Sequence, residues 1–125
     1  MRRTAGCRLR VEVKHTSGGW KWAEYDSMSV ESEPDLYRLH VTGYQGDAIA
    51  DSRNGGLWLA NGMAFSTPDA DNDSYGSGSC ASERGAGWWF AYCTSSVLHG
   101  DALYRYWYTP GVDASRMMLR CDAAI

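Results

Sequence analysis

From Ser66 to Gly87 the chain is dense in Asp, Ser and Gly and carries almost no apolar periodicity. Such a stretch can form neither an amphipathic helix nor a half-buried strand, so it reads as one long loop. Loops of this length are uncommon in compact domains unless something organises them or they carry function. Two organising devices are written into the sequence: the acidic run Asp69, Asp71, Asp73, and a pair of cysteines, Cys80 and Cys93.

The segments on either side of this loop have the patterning of strands. Leu9, Val11 and Val13 alternate with Arg8, Arg10, Glu12 and Lys14, and Tyr37, Leu39 and Val41 alternate with Leu36, Arg38, His40 and Thr42. Period-two alternation places one set of side chains on a core and the other in water. Trp20, Trp22 and Ala23 to Tyr25 predict a third strand after the turn signal Ser17-Gly18-Gly19. Asn54-Gly55-Gly56 and Asn61-Gly62 bracket the apolar piece Leu57 to Ala60 and predict a hairpin-like excursion, because Asn and Gly tolerate positive φ. Tyr104 to Tyr108 and Met117 to Leu119 predict one or two closing strands, with Pro110-Gly111 turning between them. No long amphipathic helix, internal repeat or low-complexity linker is evident, so the class is β-rich with irregular loops.

At 125 residues there is room for a single domain. A net charge of −3, with no basic cluster beyond Arg2, Arg3, Arg8 and Arg10, leaves no electrostatic footprint for nucleic acid or an anionic membrane. The longest apolar run, around Trp88 to Tyr92, is far short of the ~20 residues that cross a bilayer, so membrane insertion is not expected. Arg2 and Arg3 are not followed by an apolar core, so no export signal is visible from Met1. Six Trp and eight Tyr against two Phe weight the aromatic content toward rings with a polar handle, as at binding surfaces. His15, His40 and His99 are scattered and belong to no catalytic motif, which argues against an enzyme; His40 falls on the polar face of its strand.

Asp69, Asp71 and Asp73 sit two apart on a polar loop, the arrangement of hard oxygen donors that calcium takes. An EF-hand is excluded, because the sixth and twelfth places counted from Asp69 hold Ser74 and Cys80 rather than Gly and Glu. Two carboxylates supplemented by main-chain carbonyls from Tyr75 to Ser77 and by water remain an available set, and the alternative is a solvated acidic turn. Asn72-Asp73-Ser74 also matches the N-glycosylation pattern and competes for the same loop. The four cysteines, Cys7, Cys80, Cys93 and Cys121, lack Cys-x-x-Cys spacing or a nearby His, so disulfides are expected over zinc. Spacing alone leaves all three connectivities open. Closing Cys80 to Cys93 would add about 3 kcal/mol in the chain-entropy picture.

Several of these segments together resemble the fibrinogen-related domain, the C-terminal globular module of fibrinogen chains, ficolins, tachylectins, tenascins and angiopoietins. Tyr37 to Tyr44 (YRLHVTGY) is similar to one family strand, and Asn61 to Thr67 (NGMAFST) to a second segment. Asp69 to Asp73 resembles the family's calcium motif, and Cys80-Ala81, Arg84-Gly85, Trp88-Trp89 and Cys93 follow its cysteine-loop pattern. Ser96 to Gly100 and Tyr106 to Thr109, then Met117 to Arg120, are similar to the closing segments. The resemblance implies an α+β, β-rich fold with long irregular loops. It covers Leu9 to Arg120 and corresponds to the later part of a family domain, without its N-terminal subdomain. On this reading residues 1–125 are one partial domain, with a central sheet over 8–67 and 104–121 and a calcium and disulfide region over 66–100.

The resemblance further implies a Cys80–Cys93 disulfide and a calcium ion (Ca2+) held by the Asp71 and Asp73 side chains with main-chain oxygens at Tyr75 and Ser77. In lectin-like members an acetyl group binds beside the second cysteine, which points here to Tyr92, Cys93 and Thr94, with Arg84 and Tyr108 nearby. Thr94 stands where many acetyl-binding members have His. The expected partners are acetylated glycans or cell-surface and extracellular proteins, with the chain secreted and part of a larger or oligomeric protein. Cys7 and Cys121 would close a second disulfide if the first and last strands pair, or join this piece to another chain.

Overall fold

The computed structural model describes residues 7–16, 18–47, 57, 59–94, 96–98, 106–107 and 109–121. A four-stranded antiparallel sheet is built from β1 (Cys7–His15), β2 (Trp20–Val30), β3 (Leu39–Gly46) and β7 (Val112–Cys121), in the order β3-β2-β1-β7. A second, three-stranded sheet joins β4 (Ser96–Val97), β5 (Tyr106–Trp107) and β6 (Thr109–Pro110), and one helix, α1, spans Cys80–Arg84.

The alternation in β1 decides which side of the large sheet is buried. Cys7, Leu9, Val11 and Val13 are sealed, and their same-face neighbours Ala23 and Tyr25 on β2 and Leu39 and Val41 on β3 continue the apolar side. Onto it pack Leu57, Ala60, Cys80, Ala81, Ala86, Trp88, Phe90, Val97, Leu98 and Trp107. The irregular segment is therefore the second layer of the core, which is what a sheet with one apolar face requires.

Four sequence expectations change in detail. The third strand runs on to Val30, whereas β3 begins only at Leu39, because Leu36 and Tyr37 adopt left-handed φ values of 59° and 56°. The piece around Leu57 to Asn61 is not a hairpin among its described residues. Ala60 and Asn61 both donate their main-chain N–H to the Leu57 carbonyl, which winds consecutive turns. These turns close the free edge of β3: Gly62 donates to the Leu39 carbonyl at 2.8 Å, and the Asn61 side-chain oxygen accepts from Val41 N–H at 2.8 Å. Residues 106–107 and 109–110 lie in the small sheet with β4 rather than in the central one, which among the described residues takes only 112–121 from this end of the chain. Residues 54–56 and 104–105 of those expectations lie outside the described residues.

β7 pairs with β1 along its whole length, from Cys7 opposite Cys121 to His15 opposite Val112. This register brings the two cysteines together, and they form a disulfide. Of the two alternatives for Cys7 and Cys121, the intramolecular one holds.

Candidate functional site

The loop after Phe65 is pinned to the core before it turns acidic. Ser66 and Trp88 exchange main-chain hydrogen bonds at 2.9 and 3.1 Å, and Asn72 donates from its main chain to Ser66 Oγ and from its side-chain amide to the Phe65 carbonyl. That second bond holds the Asn72 side chain against the main chain at Phe65.

The three aspartates then take different tasks. Asp69 accepts the Thr67 hydroxyl at 2.6 Å, and this bond holds its carboxyl below the ordinary range. Asp71, exposed, accepts Asp73 N–H at 3.2 Å through Oδ1. Asp73 accepts Tyr75 N–H at 2.9 Å with one oxygen and Cys80 N–H at 2.8 Å with the other. Asp73 thus fastens the loop to the first residue of α1, whose unpaired N–H groups favour a negative partner. Ser79 caps the same end by accepting from Ser82 N–H, and Gly85 ends the helix in the left-handed region, with its N–H on the Ala81 carbonyl. A helix of five residues does not form alone; caps at both ends and the buried Cys80 and Ala81 hold it.

Within the expected calcium set, among the described residues, no lysine or arginine pairs with Asp71 or Asp73, and side chains alone do not bring three ligating groups together. The donors available are two carboxylates and the main-chain oxygens of Tyr75 and Ser77. All are oxygen, which fits a hard cation whose remaining ligands are waters. The Tyr75 carbonyl accepts a long 3.4 Å bond from Gly78 N–H.

Cys80 and Cys93 form the second disulfide, 13 positions apart. Tyr92, immediately before it, is 65% exposed, and its ring stacks on Tyr75 with centroids 4.3 Å apart and planes 22° from parallel. The Tyr75 phenol is raised above the usual tyrosine range by the Glu83 carboxylate of α1 first, and by the Tyr92 hydroxyl after it. Acidic loop, helix and disulfide therefore meet at one pair of rings. Sequence reasoning gave Tyr75 only a main-chain role; its spacing from Tyr92 carries no local signal, since the contact is made by the fold.

The other expected ligand residues do not all converge. Thr94 is buried, and its hydroxyl donates to the Ser96 carbonyl at 2.9 Å while accepting Ser96 N–H, so its polar atom is turned inward. Arg84 lies half-buried in the last turn of α1. Tyr108 lies outside the described residues. His40, expected in solvent, meets the Glu31 carboxylate.

The disulfide-tied, β-rich domain thus presents the exposed ring of Tyr92, stacked on a half-buried Tyr75, beside an acidic loop. Residues 1–115 match the family described as fibrinogen beta and gamma chains, C-terminal globular domain, and the chain belongs to it. It is 39% identical to human fibroleukin over 74% of this chain and 21% of that protein, and 46% identical to mouse angiopoietin-related protein 6 over 86% of this chain and 21% of that one. Among solved structures it resembles the fibrinogen-like globe domain of human ANGPTL6, with a TM-score of 0.79 and 32% identity over 96% of this chain and 59% of that one. It also resembles lamprey fibrin D-dimer complexed with the peptide Gly-His-Arg-Pro-amide, at TM-score 0.72 and 28% identity over 90% of this chain and 44% of that one. The chain thus spans about a fifth of the full-length relatives named here, and less than two thirds of either solved chain.

Proposed function

We propose that this domain is an extracellular recognition module that binds a protein or peptide ligand at the Tyr75–Tyr92 surface, with a calcium ion on Asp71, Asp73 and the carbonyls of Tyr75 and Ser77 stiffening that surface. The observation that carries the reading is the ring stack. A cation ordering the 71–77 loop would fix Tyr75, and Tyr75 in turn holds the exposed Tyr92. Two disulfides support an oxidising compartment, hence secretion, and no helix among the described residues is long and apolar enough to cross a membrane. The peptide in the lamprey relative supports a peptide ligand here. The inward hydroxyl of Thr94 disfavours acetylated glycans, since the residue after Cys93 then offers no outward polar atom to orient an acetyl group.

The test is a thermal-shift and binding series on the oxidised chain. Calcium at about 100 times its dissociation constant should add about 2.7 kcal/mol of stability, and Asp71→Asn should abolish that gain without unfolding the apo protein. Gly-His-Arg-Pro-amide and a peptide library serve as ligand probes, with N-acetylglucosamine as competitor. Peptide binding that EDTA and Tyr92→Ala both remove, and that the sugar does not displace, is expected. A melting temperature indifferent to calcium would overturn the metal assignment, and displacement by the sugar would overturn the ligand class.

A further inference from the structure

The outward side of the large sheet gathers positive charge that the sequence scatters. Arg8, Arg10 and Lys14 of β1 alternate with Glu12 on that side. The β1–β7 register sets Arg120 opposite Arg8, Met118 opposite Arg10 and Arg116 opposite Glu12. Five of the chain's twelve lysines and arginines therefore share one face with Glu12 and Glu24 and with exposed Asp26 further along β2, in a protein of net charge −3. Arg10 is neutralised by Glu12 at 2.8 Å and Glu24 at 2.7 Å and lies over the Trp22 ring; Arg116 bonds Glu12 at 2.7 Å and lies over Trp20.

Arg8 and Arg120 differ. They face each other directly across the two strands, a placement that like charges disfavour, and among the described residues neither guanidinium has a hydrogen-bond or ion-pair partner. Both line a cavity of about 220 Å³ together with Arg10, Glu24, Met118 and Leu119. Two unneutralised guanidinium forks aimed into one concavity fit an oxyanion with several acceptor oxygens. Further cations at alternate strand positions, about 6.8 Å apart, extend the attraction along the sheet.

We propose that this face binds a sulfated polysaccharide, with one sulfate group seated between Arg8 and Arg120 and the chain running along β1 toward Lys14, past the N–H groups that Arg10 and Arg116 keep beyond their carboxylate bonds. The extended row favours a chain of anions over a single ion, and the two disulfides favour an extracellular polyanion over nucleic acid. The site is separate from the Tyr75–Tyr92 surface and does not depend on calcium.

The probe is a size-defined heparin octasaccharide, titrated into the oxidised full chain at several salt concentrations, with sodium sulfate and duplex DNA of matched charge as parallel arms. The Arg8→Gln/Arg120→Gln pair should weaken octasaccharide binding about tenfold and flatten its salt dependence. Its melting temperature should hold or rise, because the substitution removes a like-charge opposition. Lys21→Gln, which removes a cation opposite Val13 on the other side of the sheet, and Tyr92→Ala should leave binding unchanged. An equal loss in Lys21→Gln, binding of DNA as tight as the octasaccharide, or sulfate alone matching the octasaccharide would each overturn the assignment. Loss of peptide binding in Tyr92→Ala with octasaccharide binding intact separates the two surfaces.

Discussion

Single residues set the chemistry of this domain by where their polar atoms are spent. Thr94 occupies a position the family resemblance marks for ligand contact, yet both hydrogen-bonding roles of its hydroxyl go to Ser96. Thr94→Val should therefore cost about 1–2 kcal/mol in urea unfolding, since Ser96 loses a partner in a buried setting, and leave ligand affinity unchanged. Tyr25 is wholly buried under the sheet, and that burial, opposed by a main-chain hydrogen bond from Leu57, pushes its phenol well above the ordinary range. The unfolded chain releases that proton near pH 10 and the folded chain holds it. Stability is thus fully present below about pH 10 and falls as pH rises beyond it, and Tyr25→Phe should flatten that alkaline limb in a melting profile. Asp69, Asp71 and Asp73 were legible from residue type and spacing as a cluster of oxygen donors on a loop. Asp73's fastening of Cys80 N–H was not, because it depends on a helix start that no local pattern announces.

At the scale of elements, legibility follows range. β1 and β3 could be read because period-two alternation is written into each strand separately, and β2 because its aromatic residues follow a turn signal. Helix α1 escaped because five residues are too few to show a 3.6-residue period. The pairing of β7 with β1 stood only as one of two alternatives for Cys7 and Cys121, because sequence gives strands but not partners, and its register, which confronts Arg8 with Arg120, was not legible. Turns were read by composition, but their geometry needed the fold. Gly62 has φ of +82° with open space where a Cβ would lie, whereas at Gly46, with φ of +154°, a Cβ would come within 2.4 Å of the Trp22 carbonyl oxygen. Gly62→Ala should cost about 1–2 kcal/mol from backbone strain alone, and Gly46→Ala distinctly more. Denaturant midpoints of the two variants check the order, and equal costs would mean that the β2–β3 edge yields.

For the whole molecule, stability rests on two covalent closures of very different span. Cys80–Cys93 encloses a separation of 13 and Cys7–Cys121 one of 114. In the chain-entropy picture these add about 3 and about 5 kcal/mol. Cys7→Ser/Cys121→Ser should accordingly lower the denaturant midpoint more than Cys80→Ser/Cys93→Ser, while the second pair alone should disturb the Tyr75–Tyr92 surface. The longer closure also determines how the domain answers to mechanical pull. Tension applied between the two ends of the described chain enters at Cys7 and leaves at Cys121, directly across one covalent bridge. The hydrogen bonds between β1 and β7 lie outside that line of force, so the sheet, its basic face and the loops above it carry no load until the bridge is reduced.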